Sequence, residues 1–267
     1  MTAPAPVEPA TPTPQPAPRR IALPLKPVWL TYALLGAIGL VFVGQLVLAP
    51  FEGDADPIIA WGAKVNELIV AGQVWRLVTP IFVHASLVHF LFNAYALYIF
   101  GRTIESAYGQ ARFFFLFFFA GIGGTVLSLW LSPNGSVGAS GAIFGLFAAE
   151  IALLWRNREL LGPQANAGLR TLFINAALNL AIALVPGSRI DIWGHVGGAL
   201  TGALLALWIG PVWRIAEPQT PFGPRSIEDG QPFTLVRLAG TVVLYGALFG
   251  SVVLYIALAW YLGRSSL

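Results

Sequence analysis

Runs of roughly 20 residues almost free of charge recur from one end of this sequence to the other, and each can cross a hydrocarbon core of about 30 Å as a helix. Nothing constrains the chain more. In hydrocarbon every backbone N–H and C=O must find a partner inside the protein, which leaves helices and closed barrels. A barrel would need short alternating apolar–polar segments, and the sequence lacks them. An all-α fold, a polytopic membrane helical bundle, is therefore expected. Composition agrees: 57% of the residues are hydrophobic and only 10% charged, against about 25% charged in soluble domains.

Seven spans are expected: Val28–Leu48, Pro80–Phe100, Phe113–Leu131, Val137–Trp155, a short Leu172–Val185, Ile192–Ile209 and Val236–Tyr261. A polar connector, Pro211–Phe233, precedes the last. The domain plan is a Pro-rich, disordered cytoplasmic tail over 1–26, a six-helix core over 27–214, a cytoplasmic connector over 215–235, and a seventh span with a short tail over 236–267. Alternating Pro, Ala and Thr give the tail nothing apolar to bury. It holds no apolar stretch of a signal peptide, so Arg19, Arg20 and Lys26 beside the first span read as flanks of a retained anchor.

Basic residues set the orientation. With the N-terminus cytoplasmic, that side collects Arg19, Arg20, Lys26, Arg102, Arg112, Arg156, Arg158, Arg170, Arg214, Arg225 and Arg237. The far side keeps Lys64, Arg76, Arg189 and Arg264. The pI near 9.4 thus reflects topology rather than a nucleic-acid patch, and no nucleic-acid partner is expected. An odd span count puts the C-terminus outside. With no cysteine, disulfides, thiolate catalysis and Cys-based metal sites are excluded.

Polar groups inside hydrocarbon are costly and so are functional candidates. The three histidines, His84, His89 and His195, all fall at or within expected spans near the outer end. The fourth span opens Gly138-Ala139-Ser140-Gly141, where small residues allow close helix approach and free N–H groups at a helix start favour a developing oxyanion. The sixth reads Asp191-Ile192-Trp193-Gly194-His195, with Gly194, Gly198 and Gly202 forming a ridge on one face. Gly141 and Gly145 form a shorter ridge on the fourth span. Packed ridge to ridge, the two helices would bring Ser140 within reach of His195, a neutral imidazole able to take its proton. A packing serine and an interhelical histidine are the bland alternatives.

His89 and Asn93, spaced i,i+4, share one face of the second span and suit an oxyanion hole, or else bond helix to helix. Metal binding is disfavoured: there is no HExxH and few acids lie near the histidines. No cofactor is expected.

These motifs, in this order, resemble the rhomboid family of intramembrane serine proteases. Trp75-Arg76, His84 and His89-Phe90-Leu91-Phe92-Asn93 are similar to its first loop and second span. Gly101, Glu105 and Gly109 follow its GxxxExxxG. Gly138-Ala139-Ser140-Gly141 follows its GxSG, and Gly194-His195 with Gly198 its base-bearing helix. The likeness covers about residues 28–210.

The resemblance implies a six-span core plus a seventh span, with Ser140 as nucleophile and His195 as general base. His89, Asn93 and the Ser140 N–H would stabilise the oxyanion. Single-span membrane proteins would be the substrates, cut in or near the bilayer, with the short fifth span as a lateral gate. Phe144 stands where relatives often have tyrosine. Asp191 is read as a helix cap rather than a third catalytic member, and Glu105 as a structural cap for the loop between the second and third spans. A rhomboid-like client-binding protein without activity would typically lack the serine or the histidine. A transporter would show inverted repeats or mid-span charges, and only Glu150 hints at that. Lack of organelle-targeting features suggests a prokaryotic plasma membrane.

Overall fold

The computed structural model describes residues 23–48, 56–185, 188, 190–217 and 225–263. The expected tail, except residues 23–26, lies outside them, as do Arg19, Arg20, Arg189 and Arg264.

Helix α1 (Leu30–Leu48) crosses first. Two short helices follow in the loop, α2 (Pro57–Gly62), capped by Asp56 with a proline in its first turn, and α3 (Asn66–Val70). Pro80, expected to open the second span, lies instead in a separate 3₁₀ turn, Thr79–Phe82. The helix proper begins at Leu87, where the Ser86 side chain accepts from His89 N. From there α4 (Leu87–Ala96), a π turn over Leu97–Gly101 and α5 (Arg102–Tyr108) run on as one 22-residue stretch. It ends at Gly109, whose φ of 78° suits a residue without a Cβ.

The chain continues through α6 (Gln110–Leu131), α7 (Ser140–Arg156), the single turn α8 (Arg158–Leu161) and α9 (Pro163–Ala183). The fifth span is thus a longer helix than expected and begins at Pro163, because its polar first turns, with Gln164, Asn166 and Arg170, obscure it in hydropathy. Then come α10 (Ile192–Ile209), strands β1 (Trp213–Ala216) and β2 (Ser226–Asp229), and α11 (Leu235–Tyr261). The antiparallel β1–β2 ribbon occupies what was expected to be a plain polar connector.

Among the described residues, five helices are long and apolar enough to cross a membrane: α1, the Leu87–Tyr108 stretch, α6, α10 and α11. Of the other two expected spans, α7 has 17 residues and α9 is more polar. The protein is an integral membrane helical bundle. Its centre is α6, where Phe113, Leu116, Phe117, Phe119 and Ala120 are buried. The outer helices turn apolar side chains such as Leu40, Leu91, Leu178 and Val243 outward, as lipid contact requires.

Backbones meet where α6, α7 and α10 cross. A Cβ on Gly198 would run into the Gly141 carbonyl, and one on Gly202 into the backbone of Gly145. On the third side a Cβ at Gly124 would lie 2.5 Å from Gly194 O, and one at Gly197 would lie 2.6 Å from Gly123 O. The ridges on α7 and α10 were legible in the sequence; the α6 glycines complete a three-helix seam that was not. Dispersion between close backbones and weak Cα–H contacts holds such seams where lipid supplies no hydrophobic drive.

Glu105 corrects an expectation. Buried completely, its carboxylate accepts from Trp29 N, Leu30 N, Thr31 N and Thr31 Oγ1 at 2.7–2.9 Å. It caps the start of α1, not the loop between the second and third spans. At the same end, Arg112 pairs with Asp229 at 2.7 Å and donates to Gln231 O, while Arg156 donates to Leu207 O and the Gln231 side chain. The ribbon is thereby tied to the base of α10.

Candidate active site

Ser140 is the first residue of α7 and His195 stands in the first turn of α10. The glycine seam fixes the separation of those two helix starts, and His195 Nε2 lies 2.8 Å from Ser140 Oγ. Phe144, one turn beyond Ser140, stacks on the imidazole with centroids 4.2 Å apart and planes 17° from parallel. An aromatic face without a hydroxyl is enough to hold the ring. Asp191 caps α10: its Oδ1 accepts from Gly194 N at 2.9 Å.

His89 and Asn93 project from the first turns of α4 toward the same place. The Ala85 N–H points at His89 Nδ1, 3.4 Å away. That nitrogen is then the acceptor, which leaves the proton on Nε2. Asn93 donates one N–H to His89 O at 2.9 Å, and among the described residues its second N–H has no acceptor. Gly138 presses against both. Its φ is 117°, and a Cβ there would come within 2.7 Å of His89 Nε2, so conformation and space both demand glycine. Its N–H bonds to Pro80 O at 2.8 Å, tying the loop before Ser140 to the turn before α4.

His84 lies in the loop before α4 rather than in a span. It is buried with its ring 5.3 Å from that of His89. Burial, with His89 nearby, pushes its imidazole down to about 4, so it is neutral at physiological pH. Among the described residues neither of its ring nitrogens has a hydrogen-bond partner.

A cavity of about 830 Å³ opens beside Ser140 and His195, walled by α4, α7 and α9. A second, of about 30 Å³, lies behind the pair between Pro80, Gly138 and Gly194, the room one water needs. Among the described residues no cluster of three metal-ligating side chains occurs.

Sequence reading missed the support of the loop before Ser140. Lys64 is fully buried, and its ammonium donates to Ser128 O, Ser132 O and Asn134 O at 3.2, 2.9 and 2.9 Å. Its backbone exchanges hydrogen bonds with Ser136. Arg76, also buried, donates to Ala63 O and Ala60 O at 2.6 and 2.8 Å. Lys64 looks in sequence like an ordinary loop cation, and Arg76 stood out only through the Trp75-Arg76 pair, with no sign of what it would hold.

Fold and site define a polytopic helical membrane protein with a serine–imidazole pair set between glycine-lined helices. The Rhomboid domain profile matches residues 71–212, just over half the chain, and the chain belongs to the rhomboid family. Rhomboid protease GluP of Bacillus subtilis (strain 168) is 39% identical over 160 residues, 59% of this chain and 30% of that protein. RHOMBOID-like protein 6, mitochondrial, of Arabidopsis thaliana is 34% identical over 215 residues, 77% of this chain and 69% of that one. RHOMBOID-like protein 2 of the same plant is 40% identical over 148 residues, 55% of this chain and 44% of that one. The chain thus matches under a third of GluP and under half of RHOMBOID-like protein 2.

Proposed function

We propose that the chain is an intramembrane endopeptidase that hydrolyses peptide bonds in or near the membrane segments of single-span proteins. What carries the reading is the 2.8 Å approach of His195 Nε2 to Ser140 Oγ. With its proton on Nδ1, His195 accepts the Ser140 hydroxyl proton as Oγ attacks the scissile carbonyl carbon. The carbonyl oxygen becomes an oxyanion, which on this reading accepts from His89 Nε2–H, the second Asn93 N–H and the Ser140 N–H. Collapse breaks the C–N bond, and the proton on His195 passes to the leaving amine. Water then gives a proton to His195 as its oxygen bonds to the acyl carbon; collapse breaks the Oγ–C bond, His195 returns the proton to Ser140 Oγ, and the new carboxyl end is released. The small cavity behind the pair can supply that water.

The basic-residue bias favours a cytoplasmic N-terminus, which puts the site near the outer leaflet of what we propose is a prokaryotic plasma membrane. The test is cleavage of a single-span substrate by reconstituted protein. Ser140→Ala and His195→Ala should each abolish cleavage while leaving the thermal unfolding midpoint unchanged. Full activity in either would overturn the reading.

A further inference from the structure

One wall of the 830 Å³ cavity has no part in the chemistry above. On α9, Asn175 and Asn179 both line it, in a stretch, 172–182, whose other residues are all Leu, Phe, Ile or Ala. Two amides on an apolar helix are costly where hydrocarbon is the solvent, and spacing i,i+4 stacks them on one face. Asn179 donates one N–H to Asn175 O at 2.8 Å. That bond repeats, on another element lining the cavity, the one Asn93 makes to His89 O at 2.9 Å. It fixes the Asn179 side chain with its Oδ1 and second N–H left over. Among the described residues the Asn175 amide makes no side-chain hydrogen bond, and both residues are exposed to the cavity.

The two walls therefore differ in what they ask of an occupant. Around Ser140 the donors point at one carbonyl. The α9 wall offers donors and acceptors alternately along about 6 Å of helix, the rise of four residues. A helical segment has its own N–H and C=O groups paired and gains nothing from such a wall. An extended segment presents both kinds every 3.3 Å or so, unpaired, and in a membrane has no water to satisfy them.

We infer that Asn175 and Asn179 form a rail that binds the backbone of the substrate's unwound segment, in the cavity that also holds the catalytic pair. This rests on the endopeptidase reading and names the conformation it selects: extended polypeptide, recognised by backbone amides rather than by side chains. The rail is a specificity determinant; it touches no reacting atom.

Binding is measured on the Ser140→Ala protein in detergent, so that hydrolysis is not needed for the readout. The probe is a synthetic single-span peptide with a Gly–Ser stretch near one end, and a second probe carries N-methyl groups through that stretch. Replacing both asparagines by leucine, close to them in size, should raise the Kd of the first probe about tenfold, the worth of one or two hydrogen bonds. N-methylation should weaken binding to the unchanged rail and add little once the rail is gone. In the protein with Ser140 intact, the same double variant should raise KM by a similar factor, with the rate of fluorophosphonate labelling of Ser140 kept. The inference is overturned if the first probe does not bind, if its Kd is the same with and without the amides, or if N-methylation costs the double variant as much as the parent. Loss of labelling in step with binding would also overturn it, since α9 would then only brace the site. A wild type that binds the probe without cutting it sinks the endopeptidase reading alone.

Discussion

Gly198 on α10 lies flat against the carbonyl of Gly141 on α7, leaving no space for even one methyl group. The contact sets how far apart the starts of the two helices stand, and so whether His195 meets Ser140. Gly198→Ala should lower the unfolding midpoint in detergent by the equivalent of about 1–3 kcal/mol, the usual cost of overpacking, and should slow cleavage more than it slows folding. Gly246→Ala is the control. Among the described residues nothing lies within 4 Å of a Cβ there, and its midpoint should not fall.

Asn93→Ala removes a donor aimed at the oxyanion. Turnover should fall about 10²–10³-fold with KM little changed, the loss seen when one such donor is deleted. Steady-state kinetics on the reconstituted protein check this, and an unchanged kcat would remove Asn93 from the role.

Much of this site was legible because its signals are local. Glycines every fourth residue from Gly194 define a helix face without a structure, and a serine inside Gly138–Gly141 stands out. The α6 glycines did not, because the Phe113–Phe119 run makes that span look like plain bulk. Glu105 was recognised as a cap but given the wrong helix, since its partners lie 74–76 residues away in sequence. The start of the second span was misplaced because Pro80 to Val83 are apolar, while Ser86 holds the actual cap. Lys64 had no local signal at all; only the fold reveals three carbonyls converging on its ammonium.

That burial pushes the Lys64 ammonium down to about 8 from an ordinary value of 10.5, against the pull of Asp191 and Glu67. Below about pH 8 folded and unfolded chains both hold the proton, and the burial cost is constant. Between about 8 and 10.5 only the unfolded chain holds it, so this group makes stability rise with pH there. The unfolding midpoint measured from pH 8 to 10 should therefore rise in wild type relative to Lys64→Met. A relative fall across that window would contradict the assignment.

Glu105→Ala strips the start of α1 of a buried charged acceptor with four donors. A loss of about 2–4 kcal/mol is expected, since hydrogen bonds to charged groups and stranded buried donors each cost more than neutral pairs. Glu105→Gln, which keeps one acceptor oxygen, should lose less. Chemical unfolding in mixed micelles gives the order, and equal stability of all three proteins would show the cap to be idle.

The claim on which the rest depends is that His195 makes Ser140 a nucleophile. Treatment of the folded protein with a fluorophosphonate, followed by peptide mass spectrometry, tests it most directly. The account predicts a single phosphonylated residue, Ser140, lost in Ser140→Ala and at least a hundredfold slower in His195→Ala, within the range of about 10²–10⁴ for general acid–base assistance. Labelling of some other residue, or equal labelling of Ser140 with and without His195, would contradict it.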